Sequence, residues 1–362
     1  MLAEPSNDAE ESHGPEAAGE TAWPLVSVVM PVRNEAGFMT LLLQQVLAQD
    51  YPTDRLEIIV ADGMSDDGTR QILADFAARH PQVQVIDNPG RIVSTGLNAA
   101  VARSRGEIVV RIDGHAEVPD DFIRQGVKLL QEHPEAWSAG GPIVHAGTNR
   151  FSYAVAAAMS HRCGVGNATH RFAGHEGYCE GAQFPAIRRW VFDRIGNFDE
   201  ALIRNQDDEF NYRMRLAGGK IYVSPKVRYK YYVRDRVGRL FRQYFQYGFW
   251  RIPVIRKHRR PTTLRQIVPS LFFLVMLALF IAGLAMRQPI VAFAMPAAYA
   301  AVLLGVGLSL VPRLGLATAS LVPVALATLH LGYACGLLYG TWALVFRRHA
   351  WDRQGSMATL SR

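Results

Sequence analysis

Three short stretches hold the side chains best suited to chemistry. In "VRIDGHAEVP" (110–119) an apolar run stops on Asp113, Gly114 and His115. In "VADGMSDDGT" (60–69) a similar run ends on Asp62, with Asp66 and Asp67 close behind. In "RNQDDEFNYR" (204–213) Asp207, Asp208 and Glu209 open a helical pattern. Carboxylates and an imidazole at such places can hold charge or move a proton. Each stretch also has a plainer reading. Acids in the first turn of a helix are favoured by its dipole, Asp67 fits a helix cap, and "DGH" could be a turn that Asp113 caps.

The elements that must position these groups alternate at short intervals. Strands are predicted at 25–32, 56–62, 83–88 and 107–113, and helices at about 36–49, 69–80 and 94–106. This alternation predicts an α/β fold with a mostly parallel sheet and a site at the strand carboxyl ends. Helices are also expected at 119–133 and 207–219, while the glycine- and aromatic-rich stretch 140–185 reads as loops and short strands. The domain limits expected are 24–235 for the α/β unit, 236–265 for a basic amphipathic helix and linker, 266–346 for apolar helices, and 347–362 for a tail.

Composition is uneven along the 362 residues. Between Gln266 and Phe346 there is no Asp, Glu or Lys, and only Arg287 and Arg313 interrupt the apolar run. Such a run cannot form an ordinary soluble domain, and it is long enough for several spans of roughly 20 residues. Spans are predicted at about 267–286 and 289–311. The stretch 314–346 is long for one helix and short for two, so three spans are expected and four remain open. Residues 226–265 hold thirteen Lys/Arg against Asp235 alone. Within them Val237, Leu240, Phe241, Tyr244 and Phe245 share one helical face, and Arg239, Arg242, Gln243 and Gln246 the other. This predicts a helix lying on an anionic membrane surface; no nucleic-acid-reading module accompanies the basic run. Positive flanks stay inside, which places the α/β domain in the cytoplasm of a multi-pass protein of the inner (cell) membrane. Residues 1–23 carry six acids and no Lys or Arg, lack an apolar leader-like core, and read as a disordered tail. Cys163, Cys179 and Cys335 show no pairing or metal spacing and are expected to be reduced structural thiols.

The order strand–"PVRNE", strand–"DGMSDDGT", helix–strand–"DGH" and then "DDEFNYR" resembles the family 2 glycosyltransferases of the GT-A fold over roughly residues 25–235. "RNQDDEFNYRMRLAGGKIYVSP", "QYFQYG" and the apolar C-terminal block are similar to the succinoglycan-biosynthesis, ExoA-like branch. The resemblance implies a nucleotide-diphosphate-sugar donor and a divalent cation, Mn²⁺ or Mg²⁺, on its diphosphate. Asp113 matches the first residue of the family's Asp-x-Asp motif, with His115 at the second. A ligand set with one imidazole suits Mn²⁺ better than Mg²⁺; alternatively His115 bonds the diphosphate directly. Asp62 matches the nucleobase-contacting Asp, where a carboxylate can accept the uracil imide N–H. Pro31, Glu35 and Arg91 match positions around the nucleotide. Asp207 matches the base of the Glu-Asp motif, with Gln206 in the Glu position. Asp208, Glu209 and Arg213 are expected nearby, Arg213 pairing with these acids. Gln246 and Trp250 have the Gln-x-x-x-Trp spacing of processive synthases, a spacing that an interface helix explains equally well.

The function these features imply is a membrane-anchored inverting glycosyltransferase that moves a sugar, UDP-glucose being the best donor guess, to a lipid-linked oligosaccharide or exopolysaccharide precursor, with other polysaccharide-assembly proteins as possible partners. The alternatives are a processive polysaccharide synthase and a catalytically silent nucleotide-sugar-binding membrane partner.

Overall fold

A computed structural model describes residues 23–172 and 174–346. The predicted acidic tail, Trp23 apart, and the predicted tail 347–362 lie outside the described residues.

The chain opens with β1 (Val26–Val32), α1 (Ala36–Leu47), β2 (Leu56–Asp62), α2 (Thr69–Arg79), β3 (Val83–Asp87), α3 (Val93–Arg103) and β4 (Ile108–Arg111). It continues with α4 (Phe122–Glu132), β5 (Ala136–Gly141), β6 (Ile143–Ala146), α5 (Arg150–Met159) and α6 (Arg162–Val165). Then come β7 (Gly177–Cys179), β8 (Gln183–Arg188), α7 (Trp190–Ile195), α8 (Gln206–Leu216), β9 (Lys220–Val223) and β10 (Tyr229–Tyr232). Eight strands form one sheet in the order β3-β2-β1-β4-β8-β5-β9-β7, and β10 pairs with β6 in a second. β3, β2, β1 and β4 run parallel, whereas β8 is antiparallel to both β4 and β5.

The β-branched strand residues are buried on both faces, as a sheet covered by helices requires. Val28, Met30, Ile58 and Val60 face α1, α2 and α4, while Val29, Ile59 and Ala61 face α3, α7 and α8. The chain winds outward from β1 in one direction through β2 and β3, then returns to place β4 on the other side of β1. The crevice between the ends of β1 and β4 is therefore the switch point where ligands bind in such sheets.

Two boundaries differ from expectation in ways that matter. β4 ends at Arg111, so Asp113 and His115 lie on the turn beyond the strand, closed by a hydrogen bond from the Ala116 amide to the Asp113 carbonyl. The stretch expected to be irregular contains helix α5. Asn149 caps it by accepting from the Ser152 amide, and Ser152 accepts from the Asn149 amide.

The basic segment forms two helices, α9 (Val237–Phe249) and α10 (Arg251–His258). Pro253 has no N–H to give the Phe249 carbonyl, which accounts for the break at Trp250. α11 (Val268–Ala285) and α12 (Pro289–Ser309) follow, then the single turns α13 (Val311–Leu314) and α14 (Leu316–Ala319), then α15 (Val322–Phe346). Among the described residues three helices, Val268–Ala285, Pro289–Ser309 and Leu316–Phe346, are long and apolar enough to cross a membrane, and they suggest membrane association. The third has half of its most apolar window buried inside the protein, against 11% and 22% for the others. It is buried because α9 lies on it. A Cβ on Gly248 would meet the Tyr333 carbonyl at 2.1 Å, and one on Gly336 the Phe245 carbonyl at 2.0 Å. The expected division of α9 into apolar and solvated faces needs correction. Leu240 and Tyr244 pack on α15, Val237 and Phe241 are exposed, and Gln243 and Gln246 are buried.

Candidate active site

The switch point carries two linked contacts. Arg111, 8% exposed, grips both carboxylate oxygens of Asp113, Nε to Oδ1 at 2.7 Å and Nη2 to Oδ2 at 2.9 Å. The two residues lie on the same side of the extended chain, two positions apart, which makes the bidentate pair possible. Across the crevice His115 Nδ1 lies 3.2 Å from Glu35 Oε1. Gly114 lets these groups close up, since a Cβ there would come within 2.9 Å of Glu35 Cγ. Burial works against a charged His115, but the bond to Glu35 and the charge of Asp113 outweigh it and raise its pKa above the ordinary imidazole value.

Pro31, Glu35 and Arg91 line the same cavity as Asp113 and His115. Asp62 does not. It is fully buried, accepts from the Ser65 hydroxyl at 2.5 Å and is paired with Arg70 at 3.0 Å. Arg70 also holds Asp87 at 2.7 Å, so Asp62 as it stands fixes the turn after β2 and would have to leave Ser65 and Arg70 to meet a base. Asp67 behaves as a cap: it accepts from the amide and hydroxyl of Thr69 and from the amide of Ala36, joining the starts of α1 and α2.

α8 brings Asp207 and Asp208 to the cavity wall. Burial raises the pKa of Asp207 above the usual carboxylate range, and the negative charge of Asp208 adds to the rise; Arg111 opposes both. Asp208 has surface open to the cavity lumen but is walled by protein. Burial would raise its carboxyl too, yet Arg251 at 2.5 Å overrides this and brings it to about 2. The two neighbours are thus pushed apart, one toward proton uptake and one held as an anion.

The remaining expected residues do not reach the cavity. Glu209 is fully buried and is held by Arg213, Lys257 and His258 at 2.9–3.0 Å. Arg213 pairs with it as expected and also donates to the carbonyls of Ile195, Gly196 and Asn197. This cluster ties α8 to α10. Gln246 is buried, and Trp250 packs with Ile203, Phe249 and Ala343. Trp250 of the Gln-x-x-x-Trp spacing stands at a junction with α15.

One cavity of about 1440 Å³ collects the site. It runs from Pro31, Asn88 and Arg91 past Asp113 and Asp207 to Phe272 and Phe273 of α11, Tyr299 of α12 and Tyr333 of α15. Ten arginines line it against five acids, so its field favours anions. Arg111 could have been picked out from its spacing to Asp113. Arg171 and Arg251 could not, because their place depends on how α9, α10 and α15 pack.

The sequence between β1 and α7 matches a known family. Residues 27–191 fit the model of Glycosyl transferase family 2. The chain is 34% identical over 247 residues to succinoglycan biosynthesis protein ExoA of Rhizobium meliloti, covering 67% of this chain and 73% of the relative. The chain belongs to glycosyl transferase family 2. It is ExoA-like within that family, and it is a glycosyltransferase. A second relative, 25% identical over 72% of this chain and 82% of its own, is the dolichyl N-acetyl-alpha-D-glucosaminyl phosphate 3-beta-D-2,3-diacetamido-2,3-dideoxy-beta-D-glucuronosyltransferase of Methanococcus voltae. Among solved structures a mannosyltransferase from Pyrobaculum calidifontis, in complex with GDP-Man and Mn²⁺, superposes with a TM-score of 0.56 at 23% identity. It covers 86% of this chain and 88% of that one, and its likeness establishes the GT-A fold. For this glycosyltransferase, relatives work in exopolysaccharide and lipid-linked glycan synthesis.

Among the described residues no group of three or more His, Cys, Asp or Glu is placed to hold a metal ion. Asp113 and His115 nevertheless fit one in donor chemistry, because Mn²⁺ and Mg²⁺ take few protein ligands and complete their shells on substrate phosphates. The carboxylate of Asp113 is paired with Arg111.

Proposed function

We propose that this enzyme is a membrane-anchored inverting glycosyltransferase that transfers a sugar from an NDP-sugar, UDP-glucose by preference, to a lipid-linked saccharide in exopolysaccharide assembly. The single observation that carries this reading is the continuous cavity. One end is the strand crevice with Pro31, Glu35, Arg91 and Asp113, Asp207 stands within it, and the other end opens among the three apolar helices. A soluble acceptor has no need of that apolar end.

In this reading Arg91 and the turn at Asp113 bind and orient the donor diphosphate. A divalent cation held by Asp113 and His115 would stabilise the negative charge that builds on the diphosphate as the sugar leaves. The acceptor hydroxyl attacks the anomeric carbon from the face opposite the diphosphate, and Asp207 takes its proton. The new bond forms as the sugar–phosphate bond breaks, and the electron pair goes to the diphosphate. The raised pKa of Asp207 suits a base that must also release its proton. Asp208, pinned by Arg251, holds the start of α8 in place. The thirteen basic residues before the first apolar helix support a cytoplasmic catalytic domain.

Membranes holding the enzyme, given UDP-[¹⁴C]glucose and membrane lipid extract, should move label into an organic-soluble product. Label released only as free glucose, with every common NDP-sugar tried, would remove the acceptor half of the proposal.

A further inference from the structure

The cavity carries more cationic and unpartnered polar surface than the donor end and the base use. Its charged groups form a series. Arg111 grips Asp113 and feels the charge of Asp207. Asp207 adjoins Asp208, and Asp208 is paired with Arg251 and sits in the field of Arg171. Arg251 in turn lies against Tyr333 of α15. The series therefore leads from the sheet to the apolar helices, with the base in the middle.

Beyond Asp208 stand buried polar groups with atoms that make no hydrogen bond of good geometry. Arg251 is 5% exposed; its Nη2 serves Asp208 and Asn205, while Nε and Nη1 make no hydrogen bond of good geometry. His170, 9% exposed, leaves Nδ1 unpartnered, and burial followed by the charge of Arg171 drops its pKa to about 3, so it is a neutral imidazole. The acid whose charge reaches Arg171 is Asp208, which Arg251 has already paired. The hydroxyls of Tyr244 and Tyr333 stand against Arg171 and Arg251 without a hydrogen bond of good geometry. Buried polar groups are ordinarily satisfied, so a cluster of open ones calls for a ligand. Two arginine forks and an open imidazole, all near the one carboxylate of Asp208, suit a phosphate. The cavity walls that follow, Phe272, Tyr299 and Leu329, suit a hydrocarbon chain.

We propose that Arg171, Arg251 and His170 form an anion subsite for the phosphate of the acceptor's lipid carrier, holding it between Asp207 and the apolar helices. This rests on the lipid-linked acceptor proposed above. The donor diphosphate has its own groups at Arg91 and the Asp113 turn, and Asp207 and Asp208 line the same cavity.

The test uses the full-length enzyme in detergent with farnesyl phosphate, farnesol and UDP as probes. Farnesyl phosphate should bind at least about tenfold tighter than farnesol, as expected for hydrogen bonds to charged groups. Arg171→Met should remove that preference and leave UDP affinity unchanged, which also certifies its fold; Arg171→Lys should keep part of it. UDP should not displace farnesyl phosphate. Equal binding of farnesyl phosphate and farnesol by the wild-type enzyme overturns the subsite without any variant. So does a preference that survives in both Arg171→Met and Arg251→Met, or competition by UDP, which would place the phosphate in the nucleotide site. An enzyme that glycosylates lipid extract yet fails the farnesyl phosphate comparison sinks this inference alone. One that transfers only to water-soluble sugars sinks the proposed function with it.

Discussion

Arg111 and Asp113 are joined by two parallel hydrogen bonds, so the expected metal-binding carboxylate is held by a cation that the chain itself supplies. The guanidinium also lies near Asp207. It links the donor end of the site to the base. In the proposed mechanism a metal diphosphate would compete for or share the Asp113 carboxylate.

Metal dependence follows from the proposed donor pair Asp113 and His115. EDTA should abolish transfer, and added divalent cation should restore it, with Mn²⁺ favoured over Mg²⁺ if His115 is one of the donors. His115→Asp should shift the preference toward Mg²⁺. If His115 bonds phosphate instead, the same change repels the diphosphate and activity falls with either ion. Asp113→Ala that stays fully active in EDTA would remove both schemes.

Asp207→Asn should lower turnover by about 10²–10⁴-fold, the usual worth of a positioned base. UDP affinity, measured by calorimetry, should hardly change. Near-normal turnover would pass the role to Asp208, because Glu209 is sealed in its ion cluster.

The pH profile of kcat/KM carries the same assignment. A base must be deprotonated to act, and the pKa of Asp207 is raised by burial and by Asp208. Activity should therefore fall with decreasing pH at a value above the ordinary Asp figure of about 3.9. Asp208→Asn removes a negative neighbour and frees the positive charge of Arg251, so the acid limb should move to lower pH. A limb that stays put in Asp208→Asn would detach it from Asp207.

Much of this was readable in the chain. The β-branched runs fixed β1 and β2 because burial on both faces leaves no alternation to misread, and Asp113, His115 and Asp207 were visible as polar groups at element ends. Asp62 and Glu209 show the limit. Both look like exposed acids in sequence, and both are buried by partners eight or more positions away or on another helix: Arg70 for one, Lys257 and His258 for the other. The α9 face was misjudged for a related reason. Helical periodicity shows which residues share a side, and it cannot tell that Gln243 and Gln246 are buried in the fold, Gln243 with its amide on the hydroxyls of Tyr231 and Tyr247.

Orientation can be checked with fusions. A reporter at residue 1 should respond as cytoplasmic, because the basic run before the first apolar helix anchors that side. A reporter after Arg362 separates three spans from four: external for an odd number, cytoplasmic for an even one. An external N-terminal reporter would leave the catalytic domain without nucleotide sugars.

The last prediction concerns the contact that joins the catalytic domain to the apolar helices. Gly332, Gly336 and Gly340 recur every fourth residue along α15, a spacing that puts them on one face and lets another backbone come close. That backbone is α9 at Gly336, where a Cβ would sit 2.0 Å from the Phe245 carbonyl. Gly336→Leu should therefore force α9 away and destabilise the enzyme by about 1–3 kcal/mol, as overpacking does. Since α9 and α10 carry Tyr244 and Arg251 into the cavity, transfer should fall together with the melting temperature. Gly305→Leu on α12 is the control, because a Cβ there meets nothing within 4 Å. Equal melting temperatures for the two variants in detergent would show that α9 and α15 are not in close contact.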